Sequence, residues 1–401
     1  MSIKTLCLGL FCALFVSHIY TPIPDNIAER WKIMALDSVT KTLTFLALGF
    51  ENMGIMRFED FISMIIRLDY TEPLSDEYVT VTDTTFANIP VRLYLPKGKT
   101  ETLRRAVIYM HGGAFCLGSF KLTSIDHLNR WTATKLDAVV VSVDYRLAPQ
   151  HQYPAQFEDA IAAVTFFLQD KILTKYGVDP TRICISGDSS GGTLATAVTQ
   201  YVENNPKMKH KLKAQALLYP YLQLIDINMP SHRENENGIV LTREMAIKLV
   251  SLCFTKDEAL PQAVRRNQHM PLGSRDLFKY INWSIILPEK YRKDHVYTEP
   301  ILGKFNYSFP GLIDNRMSPL LANDSLLQNL PLTYILTCQY DLTRDDGFIY
   351  ASRLRNVGVQ VTHDHIENGF HAALSFMTSP LYLHLSLRIR DMYVSWLDKN
   401  L

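Results

Sequence analysis

Apolar and polar residues along this chain fall into two alternating textures. Short, near-continuous apolar runs of strand length lie near Tyr78, Arg92, Ile108, Val140, Ile183, Leu217, Tyr334 and Val361. Between the later runs, apolar positions recur at helical spacing, as from Phe157 to Leu168 and from Leu194 to Val202. Strands covered on both faces read as unbroken apolar runs, and strand–helix alternation feeds a parallel sheet. The pattern therefore predicts an α/β fold: a mostly parallel, eight-stranded sheet flanked by helices.

Two stretches break the alternation. One runs from about Asn26 to Thr71, with Trp31, Ile33 and Met34 among apolar neighbours at helical spacing. The other runs from about Ile225 to Asp324. Long insertions after sheet strands commonly serve as lids or substrate walls, so the two stretches are expected to form a helical cap. The expected organisation is a targeting segment (1–20), an N-terminal cap segment (21–75), a first part of the core (76–224), a cap insertion (225–324) and a second part of the core (325–401).

The targeting segment stands apart. Lys4 precedes an apolar stretch from about Thr5 to Tyr20, long for a secretory signal and short for a spanning helix. No A-x-A-like cleavage site follows, and Asp25 and Glu29 flank the far side, which keeps the positive end cytosolic. A signal anchor and a cleaved signal both remain open.

Composition narrows the function by exclusion. The chain has 401 residues, 47% of them hydrophobic, enough for a sizeable core, and a net charge of +1. Such a balance offers no footprint for nucleic acid or another polyanion. Repeats, a phosphate loop and Cys/His metal spacing are missing from the sequence, so no metal and no cofactor are expected.

The candidate chemistry sits on two glycine turns. Gly187-Asp188-Ser189-Ser190-Gly191 fits G-x-S-x-G and follows the apolar run Arg182–Ser186; His111-Gly112-Gly113 follows Ala106–Met110. A serine in that context occupies a tight strand-to-helix turn with its hydroxyl exposed at the top of a sheet. The HGG turn, with His111, Gly112, Gly113 and Ala114, joins the N–H of Ser190 as the expected oxyanion hole. The remaining triad members should follow in the order acid, then histidine. Asp341 lies just beyond the run Pro331–Cys338, and His371 follows a second strand and Glu367-Asn368-Gly369-Phe370. His371 would take the proton of Ser189, and Asp341 would hold the imidazole. Among rivals, His363 and His365 lie inside a strand pattern, while Asp345 and Asp346 open the next helix, where capping or first-turn roles are expected.

These motifs, with Tyr20–Asn26, Asp144-Tyr145-Arg146-Leu147-Ala148-Pro149 and Asp341–Gly347, run over essentially the whole chain. Taken together the chain resembles the arylacetamide deacetylase family, within the hormone-sensitive-lipase group of α/β-hydrolases. The resemblance implies an α/β-hydrolase fold and the triad Ser189, Asp341 and His371. It also implies a carboxylesterase or deacetylase acting on small apolar esters or arylacetamides with short acyl groups. One departure stands out: the group carries a third glycine where this chain has Ala114. Its N–H survives, while its methyl narrows the acyl side.

Cys116 follows the HGG turn and Cys338 ends the strand before Asp341, so a lumenal disulfide and two free thiols are both open; the resemblance implies the bridge. Sequons occur at Asn282, Asn306 and Asn323, and the resemblance singles out Asn282 as the glycosylated position. The paralogues point to a single-pass type II protein of the endoplasmic reticulum membrane with a lumenal catalytic domain; the alternative is secretion. Competing functions are a lipase for long acyl chains and a noncatalytic α/β-hydrolase-like binding protein. The latter typically lacks a triad residue, and none is missing here.

Overall fold

The computed structural model describes residues 22–98, 100–305 and 309–401. The targeting segment, with Cys7 and Cys12, and the Asn306 sequon lie outside the described residues.

All eight expected strands form: β1 (Val79–Phe86), β2 (Ile89–Pro96), β3 (Arg104–Met110), β4 (Val139–Val143), β5 (Val178–Asp188), β6 (Ala214–Leu218), β7 (Leu332–Tyr340) and β8 (Val361–Phe370). They make one sheet in the order β1-β2-β4-β3-β5-β6-β7-β8. Only β1–β2 and β2–β4 pair antiparallel; the five later pairings are parallel. The middle strands are buried on both faces, as β4 and β6 are throughout, which is why they read as unbroken apolar runs.

The helices that matter for the site are α1 (Arg30–Asn52), α2 (Phe58–Ile66), α3 (Thr123–Leu136), α4 (Ala155–Phe167), α5 (Ser190–Asn204), α6 (Pro230–Glu234), α7 (Arg243–Ser251), α8 (Arg344–Asn356) and α9 (His384–Asn400). Two apolar layers sandwich the sheet. One gathers Ile108, Ile185 and Leu217 with α4, α5, α8 and the 225–324 stretch; the other gathers Tyr109, Leu218 and Leu336 with α3 and α9. Parity along each strand assigns a residue to one layer or the other, because successive side chains point to opposite faces.

The two stretches outside the alternation meet each other. Lys248 of α7 lies 2.8 Å from Glu51 of α1 and also faces the Phe58 ring. A cavity of about 600 Å³ separates α1 from the 236–248 segment. The helix α1 buries Ile33, Leu36 and Ala47 against the body. Its exposed positions from Trp31 to Leu48 are nevertheless all apolar, with Trp31 69% exposed. Its charges are held in pairs, Lys32 with Glu29 and Lys41 with Asp37.

The structure corrects the Cys116–Cys338 bridge: both are free, buried thiols. Cys338 shares the parity of Tyr334 and Leu336 and belongs to the α3/α9 layer, where it packs under Gly369. Cys116 belongs to the opposite layer, where its thiol donates to the Leu249 carbonyl at 3.1 Å. The sheet stands between them. Contact with the Cys253 thiol, with burial adding to it, pushes the Cys116 thiol well above its usual range.

Candidate active site

The site is assembled at the C-terminal ends of β3, β5, β7 and β8, where open α/β sheets collect their functional groups. Ser189 sits between β5 and α5 with φ 54° and ψ −122°, a strained backbone that pushes its side chain out of the turn. The flanking glycines are dictated by crowding. A Cβ on Gly191 would lie 2.1 Å from the Met110 carbonyl, and one on Gly187 would lie 2.3 Å from the Gly191 carbonyl. Ser189 is locked by its own backbone bonds: its N–H donates to Leu218 O at 3.0 Å, and its carbonyl accepts from Gly192 and Tyr221.

The structure brings Ser189, His371 and Asp341 together from three separate loops. Ser189 Oγ lies 2.9 Å from His371 Nε2, and His371 Nδ1 lies 2.8 Å from Asp341 Oδ1. That carboxylate oxygen also accepts from the N–H of Thr343 at 2.8 Å and from its hydroxyl at 3.1 Å. Asp341 is buried, so its charge acts on the imidazole with little screening. The Tyr219 ring meets the His371 ring edge-on at 5.3 Å and limits its swing. One local detail differs from expectation. The residues after His371 form a 3₁₀ turn, Ala373–Phe376, rather than an α-helix, and β8 runs on to Phe370 because Phe370 pairs with Tyr340 past a bulge.

The rivals are elsewhere. His363 and His365 share Thr337 Oγ1, each at 2.9 Å, and neither bonds Ser189; burial lowers both to about 4. Asp345 and Asp346 do open α8, yet they are fully buried and serve other segments rather than their own helix end. Asp345 accepts from Ser231 N at 2.7 Å, and Asp346 accepts from Leu222 N at 2.8 Å. Burial pushes the Asp346 carboxyl up to about 8.

The glycine loop divides its donors. The Gly112 N–H is not free: it donates to Asp188 Oδ1 at 2.9 Å, which removes it from the expected oxyanion hole. Asp188 is buried, which raises its carboxyl, while the Tyr109 hydroxyl donating at 2.8 Å and the Gly112 N–H oppose that rise. His111 shapes the loop rather than donating from it. Its ring stacks on Tyr145 at 4.4 Å, and its carbonyl accepts from the Tyr145 hydroxyl at 2.7 Å. The N–H groups of Gly113, Ala114 and Ser190 donate to no acceptor among the described residues. Ala114 has φ 52°, a left-handed conformation that favours glycine and explains why the missing third glycine belongs there.

Sequence reasoning missed several supports of this site. Tyr145 appeared only as part of a motif, and its place just after β4 was the available signal. The helix α6 is strapped to the Asp341 loop: Ser231 Oγ donates to Leu342 O at 2.7 Å, and Asn235 Nδ2 donates to Asp341 O at 3.2 Å. His232, between those two anchors, lines the same cavity as Ser189, Ala114, Leu241, Ala246 and Val250. Nothing in the sequence distinguished it from the other histidines. That cavity is narrow, about 30 Å³ in volume. No group of metal-ligating side chains occurs among the described residues.

Comparison with known proteins agrees with this fold. A family model described as an alpha/beta hydrolase fold matches residues 107–270 and 261–375. Over 401 residues, all of both chains, the sequence is 76% identical to a protein named arylacetamide deacetylase-like 2 from Homo sapiens. It is 49% identical to arylacetamide deacetylase of Mus musculus over 400 residues, covering 99% of this chain and 100% of that one. Among solved structures, an esterase of Pyrobaculum calidifontis superposes with a TM-score of 0.61 at 27% identity, covering 85% of this chain and 90% of that one.

Proposed function

The chain belongs to the arylacetamide deacetylase family and is a serine carboxylesterase or deacetylase of the α/β-hydrolases, and on that premise we propose that Ser189, His371 and Asp341 are its catalytic triad. The observation that carries the proposal is the unbroken relay from Ser189 Oγ through His371 to Asp341 Oδ1, at 2.9 and 2.8 Å.

The chemistry follows from the geometry. Ser189 Oγ attacks the carbonyl carbon while its proton passes to His371 Nε2. Asp341 keeps the Nδ1–H tautomer and stabilises the imidazolium. The oxyanion is received by the N–H groups of Gly113, Ala114 and Ser190; one such donor is typically worth about 2.7–4 kcal/mol of barrier. His371 then protonates the leaving alcohol or amine, activates water, and the acyl group departs.

We assign the enzyme short acyl groups and small apolar esters or arylacetamides. The Ala114 methyl and the small free space beside Ser189 support this. In a series of p-nitrophenyl esters from acetate to laurate, kcat/KM is expected to peak between acetyl and butyryl. One added methylene is worth only about 1–3 kcal/mol, so the decline should be graded. Ala114→Gly should move the optimum toward longer chains. Relief of the left-handed backbone offsets the entropy glycine adds to the unfolded chain, each about 1 kcal/mol, so global stability should hardly move. A laurate optimum in the parent protein would point to the lipase reading instead.

A membrane setting is the second part of the proposal. Among the described residues, the helix Arg30–Asn52 is long and apolar enough to cross a membrane. Its inner side packs on the protein, and its outer side is apolar, which suits a helix lying against a bilayer. Ile23 and Ile27 are buried in the α3/α9 layer, and Asn26 bonds Tyr340 and Glu367. The apolar stretch 5–20 lies outside the described residues. We assign it as a signal anchor in the endoplasmic reticulum, with the body lumenal and Asn282 glycosylated. Asn282 is half-buried, and its Oδ1 accepts from Ser284 N and Oγ. In sealed microsomes the body should resist added protease, carry endoglycosidase-sensitive sugar and stay in the pellet after carbonate washing. Release into the wash with a new N-terminus near Ile19 would establish a cleaved signal and secretion.

A further inference from the structure

We propose that His232 determines substrate class at this site: its ring accepts a hydrogen bond from the N–H of a scissile secondary amide, favouring amides over esters of the same acyl and aryl groups. The proposal rests on Ser189 being the nucleophile, and it begins from a single anomaly. His232 is 5% exposed, lines the cavity of Ser189, and has no hydrogen-bond partner at either ring nitrogen. Buried polar atoms in folded proteins are nearly always paired, so two unmatched nitrogens on one ring need an explanation.

His269 provides the contrast within the same chain. It too is buried, but its Nε2 bonds the Leu224 carbonyl at 2.7 Å, and it does not line the cavity. That pairing marks a structural histidine. His232 lacks such a bond and faces the space where substrate must sit.

The protonation state suits an acceptor. Burial, with nearby Arg243 adding to it, lowers His232 to about 3, so the ring is neutral at physiological pH. A neutral imidazole carries one N–H and one bare nitrogen. Two other hydroxyls at this cavity have partners of their own. Ser190 Oγ accepts from Phe115 N at 3.3 Å, and the one hydrogen of Thr343 Oγ1 is shared between Asp341 Oδ1 and Tyr219 O, each at 3.1 Å. Leu241, Ala246 and Val250 offer only carbon.

The ring is also held in place. On either side of it, Ser231 and Asn235 tie α6 to the loop that carries Asp341. His232 and the Asp341 loop therefore share one support, as precise recognition requires. An amide has an N–H where an ester has a bare oxygen. Binding an amide satisfies the bare nitrogen, whereas binding an ester leaves it buried and unmatched. Sites built to bond a substrate N–H reject analogues lacking it.

The test compares p-nitroacetanilide with p-nitrophenyl acetate, which share acyl group and ring. The full-length microsomal protein is used, with active sites counted by fluorophosphonate so that misfolded protein does not enter the rates. His232→Leu is expected to lower the amide-to-ester ratio of kcat/KM on the order of 10- to 100-fold. His232→Gln, which restores an acceptor oxygen, should recover part of the ratio; a merely structural histidine would give equal losses on both substrates. An unchanged ratio in His232→Leu overturns the proposal, as does a parent enzyme that cleaves the ester but not the anilide. Either result leaves the Ser189 reading intact, whereas fluorophosphonate labelling that survives Ser189→Ala would sink that reading.

Discussion

Ser189→Ala is expected to abolish both fluorophosphonate labelling and hydrolysis of p-nitrophenyl esters. Loss of the nucleophile in a triad of this kind typically costs about 10⁶-fold in kcat, with only the oxyanion hole and binding left behind. The size of the effect follows from how the site is built. The hydroxyl paired with His371 Nε2 is that of Ser189, at 2.9 Å, while neighbouring Ser190 Oγ is occupied by the Phe115 N–H. No second hydroxyl bonds His371 among the described residues. The variant should also fold. The turn is held by backbone bonds from Ser189 N to Leu218 O and from Gly192 and Tyr221 to Ser189 O, and alanine keeps all three. Circular dichroism and the melting temperature should match the parent. Persistent labelling in a folded Ser189→Ala protein would remove Ser189 from the mechanism.

The second large effect is expected at Asp341→Asn, which should lower turnover on the order of 10⁴-fold with little change in fold. Asparagine matches the carboxylate in shape, and its oxygen can still accept from Thr343 N. Its amide group, however, stabilises the wrong imidazole tautomer and supplies no charge to the imidazolium. The control is Asp345→Asn, four residues on. Asp345 pairs with the buried Arg344 at 3.0 Å and holds Ser231, so its loss should appear as reduced stability. Breaking a buried pair by removing one partner costs about 3–5 kcal/mol, enough to lower the yield of folded enzyme. Rates normalised to titrated active sites separate the two effects. Equal losses per active site would overturn the assignment of Asp341.

Much of the architecture was legible because local rules and global fold agree. The middle strands announced themselves as apolar runs because strands covered on both faces leave no polar side to interrupt them. The turn around Ser189 was legible because its backbone geometry excludes side chains at Gly187 and Gly191. The order Ser189, Asp341, His371 was legible because parallel strands deliver their loops to one edge of the sheet.

What the sequence by itself determined is what depends on neighbours along the chain: strand periodicity, the glycine turns, the order of candidate residues and the two stretches that break the alternation. The tertiary structure decided everything that depends on direction across the fold. Cys116 and Cys338 both flank the active site in sequence, yet strand parity sends Cys338 to one side of the sheet while the loop of Cys116 folds onto the other. Gly112 belongs to the oxyanion motif by spacing, yet its N–H is taken by Asp188, a residue 76 positions away. His232 looked like any other histidine until the fold placed it, unpaired, in the cavity of Ser189. In each case the deciding quantity was the direction of a bond or side chain between segments distant in sequence, and that direction is set only when the layers pack.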